Sequence, residues 1–181
     1  MGNQYKTIAE SEVTIVELML PSHSNFRGKI HGGYLLSLMD SVAFACAAKH
    51  SGHYCVTASV ETVDFLNPVE VGDMVSMKAS INYVGKSSMV IGIRVESEDI
   101  QTGKLKHCNS SYFTMVARDE EGNSIEVPGL HLQNPDEVRR FLRSVQRAEE
   151  KKRRRKKFNE LEFILEDAVK EIAPYRVQLH L

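Results

Sequence analysis

Apolar residues change their period along this chain, and the changes mark its elements. Residues 12–20, Glu-Val-Thr-Ile-Val-Glu-Leu-Met-Leu, are β-branched at the centre and stop at Pro21, which predicts a strand. A polar loop follows over 22–32. Residues 33–49 then carry Leu35, Leu36, Leu38, Met39, Val42, Ala43, Ala45, Cys46 and Ala47, and Leu, Met and Ala are good helix formers. These positions cover most of a helix circumference, as in a buried helix. The polar exceptions, Ser37, Asp40 and Ser41, stand three and four apart and form one narrow stripe. Gly52 ends the segment.

Four strand-like segments follow, at 54–65, 74–84, 88–98 and 104–118. In the first, Cys55, Thr57, Ser59, Glu61 and Val63 share one parity, and Val56, Ala58, Val60, Thr62 and Asp64 share the other. Turns are predicted at Asn67-Pro68 with Gly72-Asp73, at Gly85-Lys86-Ser87, at Gln101-Thr102-Gly103 and over 119–123. Strands of this length with short turns predict an antiparallel sheet. About five strands and one long helix make an α+β class, with the helix lying across the sheet as a second layer.

Val127-Pro128-Gly129 predicts a domain edge, dividing 10–130 from a helical, basic C-terminal extension over 131–181. Asn134 is placed to cap a helix, with Pro135 at its first position and acids in the first turn. Val138, Phe141, Leu142 and Val145 give it an apolar stripe. Residues 151–157 are seven consecutive Lys and Arg. Leu161, Ile164, Leu165, Ala168 and Ile172 form a further helical stripe, ended by Pro174.

Composition changes this picture in three places. The 181 residues, 42% hydrophobic, suit one globular domain with some chain left over. Net charge is −1, so nothing global points to nucleic acid; yet residues 139–157 hold eleven Lys or Arg and two Glu, leaving −10 for the remainder. Cys46, Cys55 and Cys108 are odd in number and not closely spaced, which argues against a metal site or disulfide framework and for a reducing compartment. The polar N-terminus lacks an apolar signal core, and no run reaches the roughly 18 apolar residues of a membrane span. A cytoplasmic, soluble protein is expected.

Asp40 is the best candidate for acid–base chemistry. Its neighbours are Leu38, Met39, Val42 and Ala43, where a carboxylate is costly unless it reaches a partner, a crevice or water. Gly32-Gly33 serves either a tight loop-to-helix passage or a set of first-turn N–H groups facing a site. In the second case the N–H groups and the helix dipole stabilise charge developing on a carbonyl oxygen. Asn25 alone reads as a turn residue. His31 reads as a hydrogen-bonding loop residue or a base. No G-x-S-x-G elbow and no cysteine in a basic setting is present.

The spacing Asn25-x-x-Gly28-x-x-x-Gly32-Gly33-x-x-x-x-x-x-Asp40 resembles the hot-dog-fold acyl-CoA thioesterases, in particular the branch of cytosolic (brain-type) acyl-CoA hydrolase and its short bacterial homologues. The resemblance covers about 10–130 and continues through Val56-Thr57-Ala58-Ser59-Val60-Glu61, Asp64-Phe65, Pro68-Val69, Val71-Gly72-Asp73, Gly85-Lys86-Ser87-Ser88-Met89 and Phe113-Thr114. It implies a sheet wrapped around one central helix, and homodimers that join their sheets, with hexamers built as trimers of dimers. It also implies hydrolysis of acyl-CoA to free acid and CoA at the dimer interface. By motif position, Asn25 of one subunit and Asp40 of the other flank the thioester, and the Gly33 amide, with Gly32, polarises its carbonyl. Asp40 acts as general base or as nucleophile. Thr57 and Ser59 line the site, and Gly85, Lys86, Ser87 and Ser88 meet the CoA moiety. No metal is implied, and no cofactor beyond the CoA of the substrate.

Two rivals remain within this fold: an acyl-CoA-binding regulator without catalysis, and a dehydratase with His31 as base. The tail is expected to be a solvated basic helix packing one stripe on a neighbouring subunit. Contact with nucleic acid or a membrane is disfavoured, because no aromatic residue interrupts 151–157.

Overall fold

In a computed structural model, which describes residues 5–160 and 163–180, a five-stranded antiparallel sheet curls about one long helix. The chain opens with β1 (Tyr5–Thr7) and β2 (Val13–Leu18), then enters α1 (Gly32–Ser51). β3 (Tyr54–Val60), β4 (Asp73–Val84), β5 (Ser88–Asp99) and β6 (Lys104–Arg118) follow. The chain then passes through β7 (Gly129–His131), α2 (Pro135–Glu160) and α3 (Leu165–Ile172). The main sheet runs β2-β4-β5-β6-β3, so β2 and β3 are its edges.

Alternation builds the core. On β4, Val75, Met77, Ala79 and Ile81 are buried, and their β5 partners Val95, Ile93 and Ile91 stand opposite Met77, Ala79 and Ile81. Leu35, Met39, Val42, Ala43, Cys46 and Ala47 of α1 close over this face. The helix continues past the expected 49 to Ser51, where Gly52 caps it by donating to Ala48 O at 2.8 Å. The Lys6 ammonium donates to the last-turn carbonyls of His50 (2.7 Å) and Lys49 (3.3 Å), a cation placed at the negative end of the helix.

Two features differ from the sequence expectation. The strand expected over 54–65 ends at Val60. Beyond it, Glu61 N–H still donates to Tyr112 O, but the Ser111 hydroxyl takes up the carbonyls of Glu61 and Thr62 in place of ladder partners. The second difference is the short parallel pair β1–β7, three residues on each side, too short to show a period.

His50 is buried at the end of α1. Its Nδ1 lies 2.7 Å from Ser11 Oγ and its Nε2 is 3.0 Å from Pro128 O. Pro128 O can only accept, so Nε2 carries the proton and Nδ1 accepts from the serine. Burial lowers the His50 pKa, so the fold prefers the neutral ring. The native state thus resists a proton that the unfolded chain takes up. The stability this contributes is complete above the unfolded value near 6.5 and is lost as pH falls below it. Thermal melts from pH 8 to pH 5 are expected to show a falling Tm below about pH 6.5. His50→Ala is expected to weaken that slope and to cost about 1–3 kcal/mol, since it leaves two buried groups unpaired.

The chain divides into two compact units between Ser144 and Val145. In the first, Asn134 Oδ1 accepts from Glu137 N–H at 3.0 Å, while the Glu137 carboxylate accepts from Asn134 Nδ2 and Gln133 N–H. This reciprocal cap starts α2 where the sequence placed it. Phe141 then packs on Tyr83, with ring centroids 5.4 Å apart. In the second unit, α2 runs on to Glu160 and α3 follows. Leu165, Ala168 and Ile172 of the expected stripe lie on α3; Ile164 is its N-cap, and Leu161 falls outside the described residues.

Candidate active site

One stripe of α1 escapes burial. Gly33, Ser37, Asp40, Ser41 and Phe44 are exposed while Leu35, Met39, Val42 and Ala43 are covered. Asp40 on this stripe meets edge strand β3: the Thr57 hydroxyl donates to Asp40 Oδ1 at 2.5 Å. The same hydroxyl lies 3.4 Å from Met115 Sδ, which fixes it from the sheet side. One carboxylate oxygen is thereby oriented, and Oδ2 has no protein partner among the described residues. Ser41 is satisfied locally, donating to Ser37 O at 3.0 Å.

Asn25 sits in a tight loop ahead of α1. Its Oδ1 accepts from the N–H groups of Arg27 (2.9 Å) and Lys29 (3.2 Å), and its own N–H donates to Lys29 O. Gly28, at φ +76°, closes the turn in a conformation that L side chains avoid. With Oδ1 committed to backbone donors, the amide nitrogen of the exposed Asn25 has two hydrogens to give. The loop is held to the body by Ile30 N–H on Val69 O and by a Lys29–Glu70 ion pair at 2.5 Å.

The helix start departs from expectation. Gly33 N–H is not free: it donates to His31 Nδ1 at 3.0 Å, so His31 is the N-cap. An accepting Nδ1 places the proton on Nε2. Gly32 N–H has no hydrogen-bond partner among the described residues. The Phe65 ring lies against Gly32, where a Cβ would come within 3.3 Å of it. A side chain at 32 would have to displace the Phe65 ring by a few tenths of an ångström.

Ser59 is moved away from Asp40. Thr57 pairs with Met115 and Ser59 with Thr114, so Ala58 is a bulge. Met115 and Thr114 are adjacent on β6 and face opposite sides of the sheet; Thr57 and Ser59 therefore do as well. The parity that put these two on one face fails at this extra residue. The turn at Gly85, Lys86, Ser87 and Ser88 is a rigid hairpin, with Gly85 N–H on Ser88 O at 2.7 Å and Ser87 O held by Ala117 N–H. Lys86 is exposed. Among the described residues, no hydrogen bond links this turn to Asn25, α1 or β3, and no cluster of His, Cys, Asp or Glu could hold a metal.

A carboxylate oriented through one oxygen, an exposed asparagine amide and a glycine-lined helix start are groups suited to attack on a carbonyl. The thioesterase superfamily model matches residues 27–104. The Helicobacter pylori protein VdlD is 40% identical over 143 residues, 79% of this chain and 82% of that one. A crystal structure of an apo-hexameric acyl-CoA thioesterase superposes with TM-score 0.81 at 34% identity, covering 83% of this chain and 97% of that one. This chain belongs to the hot-dog acyl-CoA thioesterase family. A second member, the Staphylococcus aureus acyl-CoA hydrolase solved with butyryl coenzyme A, coenzyme A and coenzyme A disulfide, matches at TM-score 0.78 and 33% identity over 86% of this chain and 94% of that one. Alanine variants of that hydrolase have been solved at an asparagine, an aspartate and a threonine whose mutual spacing is that of Asn25, Asp40 and Thr57 here.

Within this thioesterase the fold joins Asp40 to Thr57 and keeps Gly32 and Gly33 on the helix that carries Asp40. Among the described residues, no hydrogen bond joins Asn25 or the 85–88 turn to Asp40. Sequence reasoning missed Thr57 as the group that orients Asp40, because the two are 17 positions apart and nothing local signals the contact. It also missed His31 as a cap; a residue directly before a Gly-Gly helix start is in the N-cap position, but histidine is not among the usual cap residues.

Proposed function

We propose that this protein hydrolyses acyl-CoA to free acid and CoA at a site shared by two subunits. The observation that carries this reading is Asp40, a carboxylate on the exposed stripe of the core helix, with one oxygen held by Thr57 and the other without a partner among the described residues. The CoA-bound Staphylococcus aureus relative supports the substrate class.

In the proposed reaction Asp40 Oδ2 takes a proton from water as the water oxygen attacks the thioester carbonyl carbon. The carbon–sulfur bond then breaks, and the CoA sulfur leaves with the proton. Asn25 Nδ2 donates to the carbonyl oxygen as it becomes negative. Gly33 N–H joins when that oxygen displaces His31 Nδ1, one acceptor replacing another. Direct attack by Asp40, forming a mixed anhydride that water then opens, uses the same residues in another order. Single-turnover reaction in 18O water reveals the anhydride where water opens it at the Asp40 carbonyl carbon, since only that route places the label in the Asp40 carboxylate.

Two subunits complete the site by pairing their β3 edges. β3 presents unpaired backbone groups together with exposed Tyr54 and Val60, and an edge of this kind needs a cover. Assembly of three such dimers is supported by the hexameric relative. Lys86 is proposed to meet the CoA phosphates. Lys86→Ala is then expected to raise KM for CoA esters about fivefold or more with kcat nearly unchanged, and equal KM values would remove it from the site. The function itself is tested by following thiol release from acyl-CoA esters from acetyl to palmitoyl. Release matched by free acid is expected for at least part of the series; none at any length, with CoA esters still bound, would favour the non-catalytic regulator.

A further inference from the structure

The catalytic reading leaves the second unit of the chain unused. Residues 151–157 there are exposed on α2 and wholly cationic. At 100° per residue, seven of them surround the helix nearly twice, so no side is left for an apolar protein contact. Lys152 with Lys156 and Arg153 with Lys157 are like-charged pairs one turn apart, which repel. Lys156 is relieved by Glu160 at 3.7 Å, an exposed pair.

The same unit exposes large apolar side chains directly after this run. Phe158 and Phe163 are 75% and 78% exposed, and Ile164 is exposed as well. On α3, Leu165, Ala168, Val169 and Ile172 repeat at helical spacing along one face, with Leu165 and Val169 exposed. A cationic helix followed at once by an apolar helix face offers the two signals that together hold a protein to an anionic membrane surface.

We propose that residues 151–172 dock on an anionic lipid bilayer, the cations on headgroup phosphates and the apolar side chains in the headgroup boundary. Nucleic acid would satisfy the cations but has no use for the aliphatic face of Leu165, Val169 and Ile172. A second copy of the chain would bring an identical cationic run. Residues 151–172 hold eight Lys or Arg and five Asp or Glu, a net +3, and the rest of the chain carries −4, so the cationic run of this segment supplies the attraction to an anionic surface. The inference is independent of the reaction at Asp40.

The test is co-sedimentation of the full-length protein with vesicles of phosphatidylcholine alone or with about 30% phosphatidylglycerol, at low and moderate salt. Binding is expected only to the anionic vesicles, falling about fivefold or more at the higher salt. One variant reverses charge at Lys152→Glu, Arg154→Glu and Lys157→Glu; another removes apolar surface at Phe163→Ser and Leu165→Ser. Each is expected to weaken vesicle binding about tenfold, with thiol release from a short-chain acyl-CoA and oligomeric mass by light scattering unchanged. The proposal is overturned by an absence of vesicle binding, by variants that bind like wild type, by tighter binding to duplex or single-stranded nucleic acid than to vesicles, or by variants that alter the oligomeric mass.

Discussion

Asp40→Ala is expected to lower kcat for acyl-CoA hydrolysis by about 10³-fold, within the range that loss of a positioned general base produces. The fold should survive the change. The side chain is exposed, its one hydrogen bond is to an exposed threonine, and alanine is the better helix former. Surface substitutions of this kind stay within about 0.5 kcal/mol, so Tm should hold within a few degrees. Asp40→Asn separates geometry from chemistry. It can still accept from Thr57 but cannot take a proton, and it should be as inactive as the alanine variant. Turnover at the wild-type rate in either purified variant removes Asp40 from the mechanism.

Asn25 needs a different design, because its side chain does two things. Oδ1 ties the loop by accepting from Arg27 and Lys29, and Nδ2 is the proposed donor to the substrate oxygen. Asn25→Ala removes both and confounds them. Asn25→Asp keeps the acceptor that holds the loop, removes the donor, and sets a negative charge where negative charge develops. A loss of about 10²-fold or more in kcat is expected for Asn25→Asp, the scale of one lost oxyanion donor. KM should change less, since the donor acts mainly on the transition state. Near wild-type kinetics for Asn25→Asp, with the fold checked by circular dichroism, would reduce Asn25 to a loop-forming residue.

The elements with a strong period were legible in the sequence. The apolar circumference of 33–49 gave α1 to within two residues at its end, and the alternation over 74–118 gave the three central strands. What failed was set by single contacts. The Ala58 bulge adds one residue to β3 without altering its composition, and it sends Thr57 and Ser59 to opposite faces. The Ser111 hydroxyl takes the carbonyls just past β3 from a strand 49 and 50 positions away. His31 occupies the Gly33 amide because its ring reaches forward two residues from the N-cap position, where histidine is not among the usual residues. At the site, Asp40 stood out by the cost of a carboxylate among Leu38, Met39 and Val42. Its partner Thr57 became visible only when α1 was laid against the sheet edge.

The central claim is that one active site takes Asn25 from one subunit and Asp40 from the other. Purified Asn25→Ala and Asp40→Ala chains, each nearly inactive, are unfolded, mixed in equal amounts and refolded together. Random pairing makes half of the dimers mixed, each with one intact site, so about one quarter of wild-type activity should return. Activity that stays at the parental level while differently tagged chains co-purify as heterodimers would place both residues in the site of a single chain.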